Sequence, residues 1–277
     1  MAFAAKKIID FFVIGAQKAG TTALDLFLRQ VPGIQMARHK EPHYFDKDSI
    51  DWSTTSAGPL HDLFDWQTAI AVVRGEATPI YSYWPNALER LQRYNPSAKL
   101  IMCLRHPAFR AYSHWHLETR RGSETRPFAA VACAEERSRA STGSPLVDRT
   151  FSYLDRGFYS WQVRRALSLF PRDQLHILRS DLHWTQPEQT RRRVLSFLNI
   201  KSNCATKPTS GEPRVTESMH ALSPKTLAEI TSLSAMYADD IRATEALTGV
   251  ELTDWLDEGY LDPMAIASPK TMQPDSG

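Results

Sequence analysis

Residues 15–22, Gly15-Ala16-Gln17-Lys18-Ala19-Gly20-Thr21-Thr22, combine the residue types that hold an anion. The apolar run Phe11–Ile14 precedes them and reads as a buried strand, and Leu24, Phe27, Leu28 and Val31 follow at helical spacing. A strand, a glycine turn and a helix start make a phosphate cradle. The first helical amides lack partners within the helix, and the dipole favours negative charge there. Gly15 and Gly20 let the backbone approach a ligand closely. Lys18 adds a full positive charge, and Thr21 and Thr22 add hydroxyl donors. The turn differs from the nucleotide loop G-x-x-x-x-G-K-[ST], whose lysine directly follows its second glycine. Here Lys18 comes before Gly20. An ATP- and magnesium-dependent phosphotransferase is therefore weakened to an alternative reading. Arg105 offers another anion contact. It follows the apolar run Lys99–Leu104, at the end of a strand where open α/β sheets bind ligands. Arginine presents a planar fork to phosphate oxygens, and Ser113, two helical turns further on, presents a hydroxyl. On residue type alone, a salt bridge and an ordinary helix serine remain the default for these two.

Four segments, taken in order, resemble the sulfotransferases that use 3′-phosphoadenosine-5′-phosphosulfate (PAPS), in particular the heparan-sulfate type. The turn around Lys18 resembles that family's 5′-phosphosulfate loop. His39-Lys40-Glu41-Pro42-His43-Tyr44-Phe45-Asp46 resembles its K-E-P-H-F-F-D segment, and Gly75-Glu76-Ala77-Thr78-Pro79-Ile80-Tyr81 its G-E-x-[ST]-P-x-Y segment. Leu104-Arg105-His106-Pro107-Ala108-Phe109-Arg110-Ala111-Tyr112-Ser113 resembles its 3′-phosphate motif. The resemblance implies a donor site built from Gly15, Gln17, Lys18, Ala19, Gly20, Thr21 and Thr22, with Arg105 and Ser113 on the 3′-phosphate. Tyr159, in a Gly-x-Tyr segment, is implied near the nucleotide. Arg214 stands where relatives carry a Lys-Gly-Arg loop, although here the sequence is Ser210-Gly211-Glu212-Pro213-Arg214. The resemblance also makes Glu41 the general base for an acceptor hydroxyl, with His43 and Asp46 in support. A carboxylate within reach can take the proton of a hydroxyl that is otherwise a poor nucleophile. Lys18 is implied on the oxygen that bridges phosphorus and sulfur, where charge builds as the sulfuryl group leaves. Glu76 and Tyr81 are expected to line the acceptor pocket or to close a turn.

These groups need elements to carry them. Phe11–Ile14, Ile70–Val73, Lys99–Leu104 and Gln174–Leu178 read as short strands buried on both faces. Helical patterns lie between them: one opened by Pro85, with Leu88 and Leu91 inward, then Ala108–Glu118, Phe128–Arg139, Tyr159–Phe170 and Pro187–Leu198. A long helical pattern covers Ser223–Leu247. Strand–helix alternation predicts an α/β fold of three layers, P-loop-like, with a central parallel sheet flanked by helices. The expectation is a single domain over residues 1–277, with an ordered core over about 8–260 and an irregular tail over 263–277. Residues Asp46–Gly58 and Arg120–Arg126 are irregular and are the expected specificity loops.

Bulk properties exclude several classes. The chain has 277 residues and a net charge of +2 from 33 basic and 31 acidic residues, which does not mark a nucleic-acid binder. Cys103, Cys133 and Cys204 form no C-x-x-C pair, and their odd number gives no disulfide framework. His39, His43 and His106 match no zinc spacing, so no metal is expected. No run approaches the ~20 apolar residues that span a bilayer. The expectation is a cytoplasmic enzyme that sulfates a hydroxyl, or secondarily an amine, of a small metabolite such as a polyketide, an alkaloid or a glycolipid head group. It would release 3′,5′-bisphosphoadenosine and use no metal. A carbohydrate acceptor is the alternative.

Overall fold

The computed structural model describes residues 7–54, 57–67, 72–133, 135–137, 145–200 and 222–266. Five parallel strands form one sheet: β1 (Phe11–Gly15), β2 (Ile34–Met36), β3 (Val73–Ala77), β4 (Lys99–Leu104) and β5 (Leu175–Arg179). Their spatial order is β2-β3-β1-β4-β5. Every residue of β1 is buried, and so is all of β4 except Lys99, as a sheet covered on both faces requires. The covering helices include α1 (Thr21–Arg29), α2 (Gly58–His61), α3 (Ala87–Tyr94), α4 (Pro107–Arg120) and the helix Tyr159–Leu169. The result is an α/β three-layer fold.

The strand order positions the site. The chain leaves β1 for β2 on one side of the sheet, and leaves β4 for β5 on the other. The carboxyl ends of β1 and β4 therefore flank a crevice, the place where such sheets bind ligands. The Lys18 turn follows β1, and Arg105 follows β4.

Four elements depart from the sequence expectation. The second strand runs Val73–Ala77 rather than Ile70–Val73, of which residues 70 and 71 lie outside the described residues. The polar Arg74 and Glu76 hid it, whereas Gly75 is required there: a Cβ on Gly75 would fall 2.0 Å from the Phe11 ring of β1. β2 has only three residues, too few to show a period. The helix beginning at Phe128 stops at Val131, because Ala132 leaves the helical region at φ −96°, ψ 46°. The long pattern from Ser223 is two helices, Pro224–Ser232 and Ser234–Thr248, joined at Leu233. Ser223 caps the first by accepting the Thr226 N–H at 3.1 Å, and Gly249 ends the second at φ 68°.

Candidate active site

The anion cradle forms at the crevice. Gly20 takes φ 85° at the entry to α1, a conformation that favours glycine, and Thr21 opens the helix. Gly15 admits no side chain, since a Cβ there would meet Ser82 Oγ at 2.3 Å. Thr21 is buried and Thr22 is exposed. Ala19 is buried beneath the turn, while Gln17 and Lys18 are half-buried at its surface. Lys18 itself adopts φ 66°.

A group of cations surrounds this turn. Arg105 Nη1 lies 3.4 Å from the Lys18 carbonyl oxygen, and Arg110 Nη1 lies 3.4 Å from that of Gln17. Arg156 donates to the Gln17 side-chain oxygen. Arg110 and Arg156 are wholly buried, and among the described residues neither forms an ion pair. Burial pushes the Arg156 guanidinium down to about 10. His114, beside them, has neither ring nitrogen hydrogen-bonded; burial, then Arg156, Arg110 and Lys18, hold it neutral. Two buried guanidiniums with no carboxylate at ion-pair distance among the described residues make this seat positive. A ligand with several phosphate charges fits such a seat. Ser180 adds a buried hydroxyl with no hydrogen-bond partner, and its Cβ would lie 3.3 Å from a Cβ on Gly20. Neither Ser180 nor Arg156 was singled out from sequence. Both come from elements distant in the chain, and only the fold brings them to the turn.

Tyr159 is fully buried, and its hydroxyl donates to the Arg105 carbonyl oxygen at 2.7 Å. It braces the end of β4. Ser113 lies on α4 and is 9% exposed. Arg214 lies outside the described residues.

The second group of site residues sits on the segment that runs beside β3. Ala37 N–H donates to the Gly75 carbonyl at 2.9 Å, and Glu41 N–H to that of Ala77 at 3.0 Å. Lys40, Glu41, His43, Asp46 and Arg149 then form a charged chain. Lys40 Nζ is 2.6 Å from Glu41 Oε1, and His43 Nε2 is 3.3 Å from Glu41 Oε2. His43 Nδ1 is 2.8 Å from Asp46 Oδ2. Arg149 donates to the Asp46 carboxylate, and at 2.8 Å to its carbonyl oxygen. A histidine between two carboxylates can donate to both only as imidazolium. The Asp46 hydrogen bond, then that from Glu41, accordingly raises His43 to about 9 against the effect of burial. Burial acts to raise Glu41, but the His43 hydrogen bond and the Lys40 charge outweigh it and hold the carboxyl at about 2. Glu41 is thus an ionised, half-buried carboxylate.

The backbone here is constrained. Among the described residues, the non-glycine positions at positive φ are Lys18, Glu41, His43, Asn86 and Asn199. Three of these five carry the candidate chemistry. Each such conformation costs about 1–3 kcal/mol and persists only where the surroundings enforce it.

Two of the residues expected either to line the acceptor pocket or to close a turn are internal. Glu76 and Tyr81 are each 0% exposed; Asp46, also 0% exposed, sits behind His43 at the wall of the cleft. The Tyr81 hydroxyl accepts the backbone N–H groups of Tyr44 at 3.1 Å and Phe45 at 3.3 Å, fixing the segment that carries His43. Glu76 accepts the Thr78 hydroxyl at 2.8 Å, and burial raises its carboxyl to about 8. Asp46 backs His43. A third residue missed from sequence is Arg149, on the helix Pro145–Phe151, which no period announced. Its guanidinium lies 4.0 Å from the Trp84 ring centroid. A cleft of about 460 Å³ opens beside His43, lined by Asp46, Lys47, Asp48, Ser49, Trp84 and Arg149. Among the described residues no group of histidine, cysteine or acidic side chains is arranged to hold a metal, and no helix is long and apolar enough to cross a membrane.

Comparison with known proteins bears on this geometry. The sulfotransferase domain matches residues 9–236. Mouse heparan sulfate glucosamine 3-O-sulfotransferase 3B1 is 28% identical over 199 residues, covering 71% of this chain and 47% of that protein. The chain thus spans about half the length of the curated relatives it matches. The membrane-associated sulfotransferase kil1 of Dictyostelium discoideum is 37% identical over 112 residues, 39% of this chain and 22% of that one. A sulfotransferase structure from Alicyclobacillus acidocaldarius superimposes with a TM-score of 0.70 at 26% identity, covering 90% of this chain and 99% of the other.

Proposed function

The chain belongs to the sulfotransferase domain family, and from that premise we propose that it moves a sulfuryl group from PAPS to an acceptor hydroxyl and releases 3′,5′-bisphosphoadenosine. The observation that carries this reading is the pairing of a cation-rich cradle at the β1–β4 crevice with an ionised Glu41 bonded to His43, which lines a cleft. The acceptor oxygen attacks sulfur in line with the departing bridging oxygen. One S–O bond forms, one breaks, and the acceptor proton passes to Glu41. A carboxylate held at about 2 is a weak base, but the proton becomes acidic as the new S–O bond forms, so a positioned weak base suffices. Lys18 and the amides of residues 20–22 meet the charge that develops on the leaving phosphate. Arg105 and Ser113 take the 3′-phosphate. His43 and Lys40 fix the Glu41 carboxylate, and fixed geometry supplies much of the rate.

The cleft volume of about 460 Å³ lies within the range of small-molecule sites and supports a small hydroxylated acceptor. A carbohydrate acceptor is the second reading, favoured by relatives named as heparan sulfate glucosamine 3-O-sulfotransferases. Incubation with sulfur-labelled PAPS and two acceptor panels, hydroxylated small molecules and oligosaccharides, tests the reading. Transfer of label to a panel member, abolished in Glu41→Gln, is expected. Label transfer undiminished in that variant would remove Glu41 from its role.

A further inference from the structure

The matched sulfotransferase domain ends at residue 236, yet residues well beyond it reach the donor seat. The segment from the turn Thr253–Leu256 to the short helix Pro263–Ile266 lies across the end of β4 as a strap. Tyr260 stacks on His106, with ring centroids 5.0 Å apart and planes at 16°. His106 Nε2 is 3.1 Å from the Trp255 carbonyl oxygen. The Tyr260 hydroxyl donates to Asp181 at 3.2 Å, next to Ser180 at the cradle. The strap therefore grips the neighbours of two donor-seat residues, Arg105 and Ser180.

At its end, Asp262 meets Arg105 itself. Asp262 Oδ2 accepts from Arg105 Nε at 2.7 Å, with the side chains 1% and 2% exposed. Asp262 Oδ1 accepts the Met264 N–H at 2.8 Å, so both carboxylate oxygens are engaged. The contact is made at Nε, at the root of the guanidinium, while Nη1 reaches the donor turn, 3.4 Å from the Lys18 carbonyl oxygen.

We propose that Asp262 is a positioning residue for donor selection: by holding Arg105 through Nε it aims the terminal nitrogens at the seat of a 3′-phosphate. This rests on the reading of Arg105 as the 3′-phosphate contact. The strap then sets the preference for a 3′-phosphorylated nucleotide while touching none of it.

Calorimetric titration of the full chain with 3′,5′-bisphosphoadenosine and with adenosine 5′-monophosphate tests this, because the ligands differ only in the 3′-phosphate. The wild type should prefer the bisphosphate. Asp262→Ala should weaken the bisphosphate about tenfold and leave the monophosphate within about twofold, since one orienting charge-assisted hydrogen bond is lost. Asp262→Asn, whose amide oxygen still accepts from Nε, should give an intermediate ratio. It carries the test alone if Asp262→Ala does not fold, with an expected loss of about threefold in the ratio. An unchanged ratio in the folded variants, or equal weakening of both ligands, would reduce Asp262 to a structural contact and overturn the proposal. A raised ratio would make it a competitor of the phosphate and overturn it equally. A wild type without preference would instead refute the donor reading itself.

Discussion

In the proposed reaction Glu41 and Lys18 act on opposite partners of one displacement, so their variants should fail differently. Glu41→Gln removes the proton acceptor and leaves the donor seat intact. Turnover should fall about 10²–10⁴-fold, while calorimetry with 3′,5′-bisphosphoadenosine shows unchanged affinity. Lys18→Ala removes a charge needed most in the transition state, so kcat should fall about 10²–10³-fold, more than donor affinity does. Weakened binding with undiminished kcat would contradict that role. His43 carries the pH dependence. Its pKa is raised to about 9, so the ion-paired form is complete below 6.5 and is lost as pH rises through about 9. Glu41 is lowered to about 2, so its charge is present above 4.5 and is lost only as pH falls through about 2. A rate profile flat between 4.5 and about 9, with an alkaline fall at His43's value, is expected. A fall near 6.5 would show that His43 is not held between two carboxylates.

The elements that hold these residues were unequally legible in the sequence. β1 and β4 declared themselves as unbroken apolar runs, and the glycines around Lys18 marked the turn between strand and helix. β3 did not, because Arg74 and Glu76 break its pattern and the reason for Gly75 is a ring on another strand. Gly75→Ala should destabilise the fold by about 1–3 kcal/mol through overpacking against Phe11. The check is a lowered urea midpoint at unchanged slope; an unchanged midpoint would mean that Phe11 moves aside freely. The charged chain was legible only in part. Glu41, His43 and Asp46 lie within one segment, whereas Arg149 arrives from a helix distant in sequence, and the full burial of Glu76 and Tyr81 is a property of packing. Arg149→Leu should lower turnover by loosening Asp46 and His43, about tenfold as for the loss of one orienting charged hydrogen bond. Donor affinity should not change. Loss of donor binding in this variant would assign Arg149 to the wrong side of the site.

At the scale of the molecule, strand order joins the two halves of the chemistry. The crossover from β1 toward β2 and from β4 toward β5 opens the crevice proposed to receive the donor, and the segment beside β3 carries Glu41, the proposed base, past the end of that strand. Alternation of strands and helices was enough to predict a parallel sheet, while the position of β2 at its edge depends on three residues with no pattern of their own. The selection of a 3′-phosphate separates a sulfuryl donor from ATP, so it is the central claim. Its most direct test is calorimetric titration with 3′,5′-bisphosphoadenosine and with ADP, both without magnesium. A strong preference for the bisphosphate is the predicted result. Equal or tighter binding of ADP, or a requirement for magnesium, would contradict it and point to a phosphotransferase.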